Sequence, residues 1–131
     1  MTADELRERI VIARPEWREL VSFLPSSHVQ AICQQALDGV SEEEILRPEN
    51  LGGENFDITV LLTNLASIAT LYCAVITTVD WMQRQRGSKE KPRVDEVLNQ
   101  LPLNQKSKPD VELVVEDVVA KLAGVTLQNP K

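Results

Sequence analysis

Apolar residues recur along this chain at helical spacing, in blocks set apart by prolines, glycines and capping residues. Thr2 with Glu5 three positions later forms a capping box, and Leu6, Ile10 and Val11 then give one apolar face, which predicts a helix ending near Arg14. Pro15 suits the first turn of a second helix with Trp17, Leu20, Val21 and Leu24 on one side and Pro25 as its stop. Ser26 or Ser27 caps a third, carrying Val29, Ile32, Cys33, Ala36 and Leu37, and Gly39 is placed to end it in the left-handed conformation. Ser41 with Glu44 repeats the capping box before Ile45 and Leu46, and Pro48 stops this fourth, very short helix. The stretch 47–56, with Pro48, Asn50, Gly52, Gly53 and Asn55, reads as a connecting loop. It lacks the Gly-Lys-Ser/Thr ending of a phosphate-binding loop.

The next block differs in kind. From Ile58 to Val79 no residue is charged, and with Asp57 as cap and Gly87 as stop a helix over about 57–86 is predicted. At 1.5 Å per residue it is roughly 45 Å long. Ile58, Leu61, Leu65, Ile68, Tyr72, Val75, Val79 and Met82 follow a 3-4-3-4-3-4-3 spacing, a heptad seam suited to packing against another helix. Leu62, Ala69 and Ile76 widen that face, as expected at the centre of a bundle. Thr59, Thr63, Ser67, Thr70 and Thr77 occupy the rest, small enough for a further helix to approach closely.

After Gly87 a polar hinge over 87–92 leads to Val94, Val97, Leu98 and Leu101, a short helix that Pro102 ends. A linker over 103–108 follows. Val111, Val114, Val115, Val118, Val119 and Leu122 then form a stripe predicting a Val-rich helix over 110–123 that Gly124 closes. The β-branched run 111–115 could pair as a strand instead. Helix is favoured because the stripe continues at the 3.6 period, where strand alternation breaks at Val114-Val115. The tail 126–131 reads as loose. The expectation is an all-α protein, a small helical bundle around one long central helix: a bundle over 1–86, then a hinge and C-terminal arm over 87–131.

Composition agrees with a folded chain. Apolar residues make up 43% and charged residues 26% of 131 residues, far from the profile of disorder and enough for one core. With only Trp17, Phe23, Phe56, Tyr72 and Trp81 as aromatics, that core must be aliphatic. The net charge of −6 argues against nucleic acid, since affinity for a phosphate backbone comes from Lys and Arg releasing counterions. Cys33 and Cys73 form no metal or disulfide framework and read as buried hydrophobes, and the N-terminus has no basic start with an apolar run. The expected compartment is the cytoplasm.

No pattern points to catalysis, a metal or a cofactor. His28 and Cys33 are five residues apart on one helix, which turns their side chains about 140° away from each other. Glu42, Glu43 and Glu44 are adjacent, as suits negative charge at a helix N-terminus. Asp110, Glu112, Glu116 and Asp117 form an acidic flank with no histidine nearby. The expectation is a non-enzymatic protein-interaction module, an adaptor, regulatory or assembly subunit. Its partner, another protein or a second copy, would bind through the seam Ile58, Leu61, Leu65, Ile68, Tyr72, Val75, Val79 and Met82, with helix 110–123 as a second surface. The alternative is a single-pass membrane accessory protein. Residues 58–79 are 22 uncharged positions, long enough for a hydrocarbon core, with Arg84, Arg86, Lys89, Lys91 and Arg93 as a basic cytoplasmic flank able to meet anionic lipid or an acidic partner. Against it stand the Thr-rich face and Tyr72 in mid-helix.

Overall fold

The structure, a computed structural model, describes residues 1–47, 56–87 and 91–122. Every regular element among them is a helix. The expected all-α architecture with one long helix is what the chain adopts.

Local chemistry sets most of the boundaries. Helix α1, Ala3–Ala13, starts where the Thr2 hydroxyl accepts from the Glu5 N–H at 3.1 Å. Helix α2, Trp17–Phe23, follows a tight turn in which the Trp17 N–H reaches the Arg14 carbonyl at 2.9 Å. Helix α3, Ser26–Leu37, begins one residue earlier than a serine cap requires. Pro25 holds the cap position, and its carbonyl accepts from the N–H groups of both His28 and Val29. The other end of α3 is a Schellman motif. Gly39 takes a φ of 83°, its N–H bonds the Ala36 carbonyl, and the Val40 N–H bonds that of Gln35. Helix α4, Glu42–Ile45, is capped by the Ser41 hydroxyl. The loop expected over 47–56 falls, from residue 48 to 55, outside the described residues.

Helix α5, Phe56–Arg86, is the long apolar block. Three of its threonine hydroxyls donate to carbonyls within the helix itself. Thr63 bonds the Thr59 carbonyl at 2.8 Å, Thr70 that of Ser67 at 3.1 Å and Thr78 that of Ala74 at 2.8 Å. Gly87, with a φ of 58°, ends the helix.

Helix α6, Val94–Gln100, follows, with the Arg93 N–H donating to the Glu96 carboxylate at 3.1 Å. The stretch 103–108, expected as a linker, contains a helical turn, α7, Leu103–Lys106, nucleated by the Pro102 carbonyl, which accepts from Gln105 and Lys106. Helix α8, Val111–Asp117, settles the 111–115 ambiguity in favour of helix. It continues not as α-helix but as a wider π-helical turn, Val118–Leu122. That turn is tied down by the Lys91 ammonium, which donates to the Ala120 carbonyl at 3.2 Å. Gly124, the expected stop, lies outside the described residues.

The chain divides into two compact units, Thr2–Thr70 and Leu71–Lys131. In the first, α1 packs on α3 and α2, and α3 on α4, with Leu6, Ile10, Cys33, Ile45, Leu62 and Leu65 wholly buried. In the second, α8 packs on α6 and on the π-turn, with Tyr72, Val75, Val97, Val114, Val115 and Val118 buried. The Arg86 guanidinium bonds the Glu96 carboxylate, tying the end of α5 to α6.

Candidate functional site

The seam expected to meet a partner is largely spent inside the chain. Leu65, Ile68, Tyr72, Val75, Val79 and Met82 are buried, while Ile58 and Leu61 are half-buried. The widening line, Leu62, Ala69 and Ile76, is buried too. Tyr72 shows how complete the enclosure is, since its hydroxyl, deep in the second unit, donates to the Asp117 carboxylate at 2.9 Å. On the stripe of helix 110–123, Val111, Val114, Val115, Val118 and Leu122 are likewise buried.

The basic flank is also engaged at home. Arg84 pairs with Asp80 at 3.1 Å, Arg86 with Glu96, and Arg93 with both Asp95 and Glu96 at 3.3 and 3.5 Å. Lys91 caps the Ala120 carbonyl. Lys89 lies outside the described residues. With Arg86 and the Arg93 N–H both bonded to it, the Glu96 carboxyl is held below the usual glutamate range, the Arg86 bond being the larger cause.

Nucleophile chemistry finds no support in either thiol. Cys33 is wholly buried, and desolvation pushes its pKa up to about 12, outweighing the opposing pull of the Arg7 charge. Cys73 is buried and unbridged. Among the described residues no three His, Cys, Asp or Glu side chains converge as a metal site.

An open cleft lies in the first unit, between α1, α2 and the start of α3. It encloses about 190 Å³ and is lined by Val11, Val21, Leu24 and Val29 together with Arg7, Glu8, Arg18, Ser22 and Ser26. The amphipathic pattern explains the lining: Val11, Val21, Leu24 and Val29 are inward positions of three short helices, too short and too few to close over one another completely. Arg7 is drawn to Glu8, 3.7 Å away. Arg18 is exposed and makes no ion pair among the described residues.

Beside this cleft stands Phe23. Its neighbours Ser22 and Leu24 both line the cleft, yet its own ring is 78% exposed. Ile12, next to the lining residue Val11, is 53% exposed. Sequence reasoning passed over both, although a signal existed: Phe23 falls off the 17, 20, 21, 24 face and Ile12 off the 6, 10, 11 face. In the second unit the exposed large apolar side chains among the described residues are Trp81, Leu103 and Leu113.

By length and composition one helix among the described residues, Asp57–Arg86, could cross a membrane, with 56% of its most apolar stretch buried in the fold. Its most exposed positions include Asp57, Asn64, Thr77, Arg84 and Gln85, besides Val60 and Trp81. Comparison of the chain with protein-family models, with curated proteins and with solved structures finds no match.

Proposed function

We propose that this chain is a non-enzymatic protein-interaction module of the cytoplasm, and that the α1–α3 cleft with Phe23 at its edge is where a partner docks. The observation that carries the reading is Phe23. Exposing an aromatic ring forfeits about 1.5–3 kcal/mol of burial, and aromatic side chains, Phe among them, are enriched at interfaces relative to the rest of a protein surface. The expected adaptor role is kept, but its contact surface moves from the α5 seam, whose apolar side chains are already used in folding, to the N-terminal helices.

A photo-crosslinking residue placed at position 23 tests this in living cells, with the exposed position of Gln30 on α3 as the control. Discrete adducts at 23 and none at 30 are expected. Equal, diffuse labelling at the two positions would remove the docking reading.

The length and apolarity of α5 favour a second reading, a single-pass membrane protein with 58–79 as its span. Alkaline extraction separates the two. A membrane span stays with the bilayer, because transferring so much apolar surface to water is costly. The module is expected in the soluble fraction, in keeping with the burial of α5 and the polar residues on its open side.

A further inference from the structure

We infer that the occupant of the α1–α3 cleft is a second copy of this chain, whose Phe23 ring enters the cleft while its Glu19 carboxylate meets Arg18; this rests on the docking reading above. Size comes first. An apolar cavity of about 150 Å³ is enough to hold benzene, and the cleft, at about 190 Å³, has room for a phenyl ring. Its floor of Val11, Val21, Leu24 and Val29 is the right surface for one.

Charge then selects the ring. Glu19 and Phe23 stand four residues apart on α2, one above the other on the helix surface, and both are exposed. The outer face of α2 thus offers a carboxylate and an aromatic ring together. The cleft offers the complement: an apolar floor and, at its edge, the guanidinium of Arg18, which has no carboxylate partner within the described chain. Glu8, the acid in the cleft lining, is on the side of Arg7.

Position makes the match reciprocal. Phe23 lies between two residues that line the cleft, and Arg18 and Glu19 are adjacent on α2, so the projecting group and the receiving groups belong to one small patch. A patch that carries both halves of a complementary pair closes on itself about a two-fold axis, with each ring in the other copy's cleft and two equivalent Arg18–Glu19 pairs. Burying both rings at once leaves neither cleft open, so assembly stops at two.

Sedimentation of the purified full chain, taken to near-millimolar concentration, tests the inference. A monomer–dimer equilibrium is expected. Phe23→Ala and Arg18→Glu should each weaken it at least tenfold while leaving the circular dichroism and melting temperature of the monomer unchanged, because both side chains are exposed. Glu19→Arg should weaken it as well. The decisive arm is the mixture: Arg18→Glu with Glu19→Arg restores both cross-pairs in a heterodimer, so the two impaired variants together should associate better than either alone. A monomer at every concentration, a dimer indifferent to Phe23→Ala, or a mixture that gains nothing would each overturn the second-copy occupant. A crosslink from position 23 to a protein of different mass, with the purified chain monomeric, would do the same while leaving the docking reading intact.

Discussion

The two units of this chain differ in what their long polar side chains hold. In the second, Tyr72 reaches Asp117, Arg86 and Arg93 converge on Glu96, and Lys91 closes on a backbone carbonyl, so side chains that could have faced outward are engaged in holding α5, α6, α8 and the π-turn. In the first, Arg14 pairs with its near neighbour Glu16 at 2.6 Å, while Arg18 and Phe23 are left facing solvent around a cleft. Engagement of that kind stabilises a unit and withdraws its polar side chains from a partner, although Trp81, Leu103 and Leu113 stay exposed there. The first unit, with a cleft left open among α1, α2 and α3, gives up some burial and keeps a surface on which something else can close.

The largest effects should fail to distinguish the units. Leu65→Asp in the first and Val114→Asp in the second each place a carboxylate where the side chain is wholly buried. An uncompensated buried charge costs about 4 kcal/mol or more, a large share of the stability of a small domain. Both variants should lose cooperative unfolding in urea or fail to accumulate as folded protein. If one kept a wild-type transition, the unit that houses it would not be packed as described.

The next effect lies within α2 and sharpens the contrast between stability and surface. Trp17 is 9% exposed and Phe23 78% exposed, six residues apart on the same helix. Trp17→Ala should cost about 3 kcal/mol by emptying core volume. Phe23→Ala should change monomer stability by less than about 0.5 kcal/mol. Urea midpoints measured at low protein concentration, where a dimer does not contribute, check the pair. Comparable losses at the two sites would mean that Phe23 is packed, and the case for it as an anchor would fall.

That difference was partly legible in the sequence. The helical period assigned Trp17, Leu20, Val21 and Leu24 to one face, and caps such as Thr2, Ser41 and Gly39 act as their chemistry dictates. The 3-4 repeat of α5 also marked its buried face correctly from Leu65 to Met82. A repeat, however, states only that a face needs cover. It is silent on what supplies the cover, and here the chain itself buries most of the seam. Helix α7 was hidden because Leu103, Asn104, Gln105 and Lys106 carry no apolar period, and its start depends on the Pro102 carbonyl, a backbone feature. The π-turn was hidden for a similar reason. Val118 and Leu122 are spaced four apart in either helix type, and the tie from Lys91 to Ala120 spans 29 residues.

A smaller effect probes the tie between α5 and α8. Tyr72→Phe keeps the buried ring and removes only the hydroxyl that donates to Asp117. A hydrogen bond to a charged acceptor contributes about 1.5–3 kcal/mol, and Asp117 is half-buried, so a loss near the lower figure is expected in the urea midpoint with little change in slope. Because Asp117 retains access to water, the variant should still fold. An unchanged midpoint would show that the hydroxyl contributes nothing net, and that the second unit is held by apolar packing alone.

The smallest effect is electrostatic and is read in its pH dependence. Glu96 accepts from Arg86 and from the Arg93 N–H, which lowers its pKa in the folded chain below the value it has when unfolded. A carboxyl with a depressed folded pKa contributes stability that is fully present above the unfolded glutamate pKa, near 4.3, and that is lost as pH falls through the lower folded value. The contribution is therefore present at neutral pH and disappears along the acid limb, and exposure to water and salt keeps it modest. Glu96→Gln retains an oxygen that can accept from the Arg93 N–H but removes the charge that Arg86 pairs with. The variant should thus lose a little stability at pH 7, converge on the parent as the pH drops toward 3, and show a flatter acid limb between. The first unit offers an internal check in Glu16, whose carboxyl is also held low, chiefly by a backbone hydrogen bond and then by Arg14. Since that contribution comes mainly from the backbone rather than from an ion pair, raising the salt concentration should shrink the Glu96→Gln difference more than the Glu16→Gln difference. Equal salt sensitivity at the two positions would mean that the ion pairs of the second unit hold it no more firmly than the local contacts hold the first.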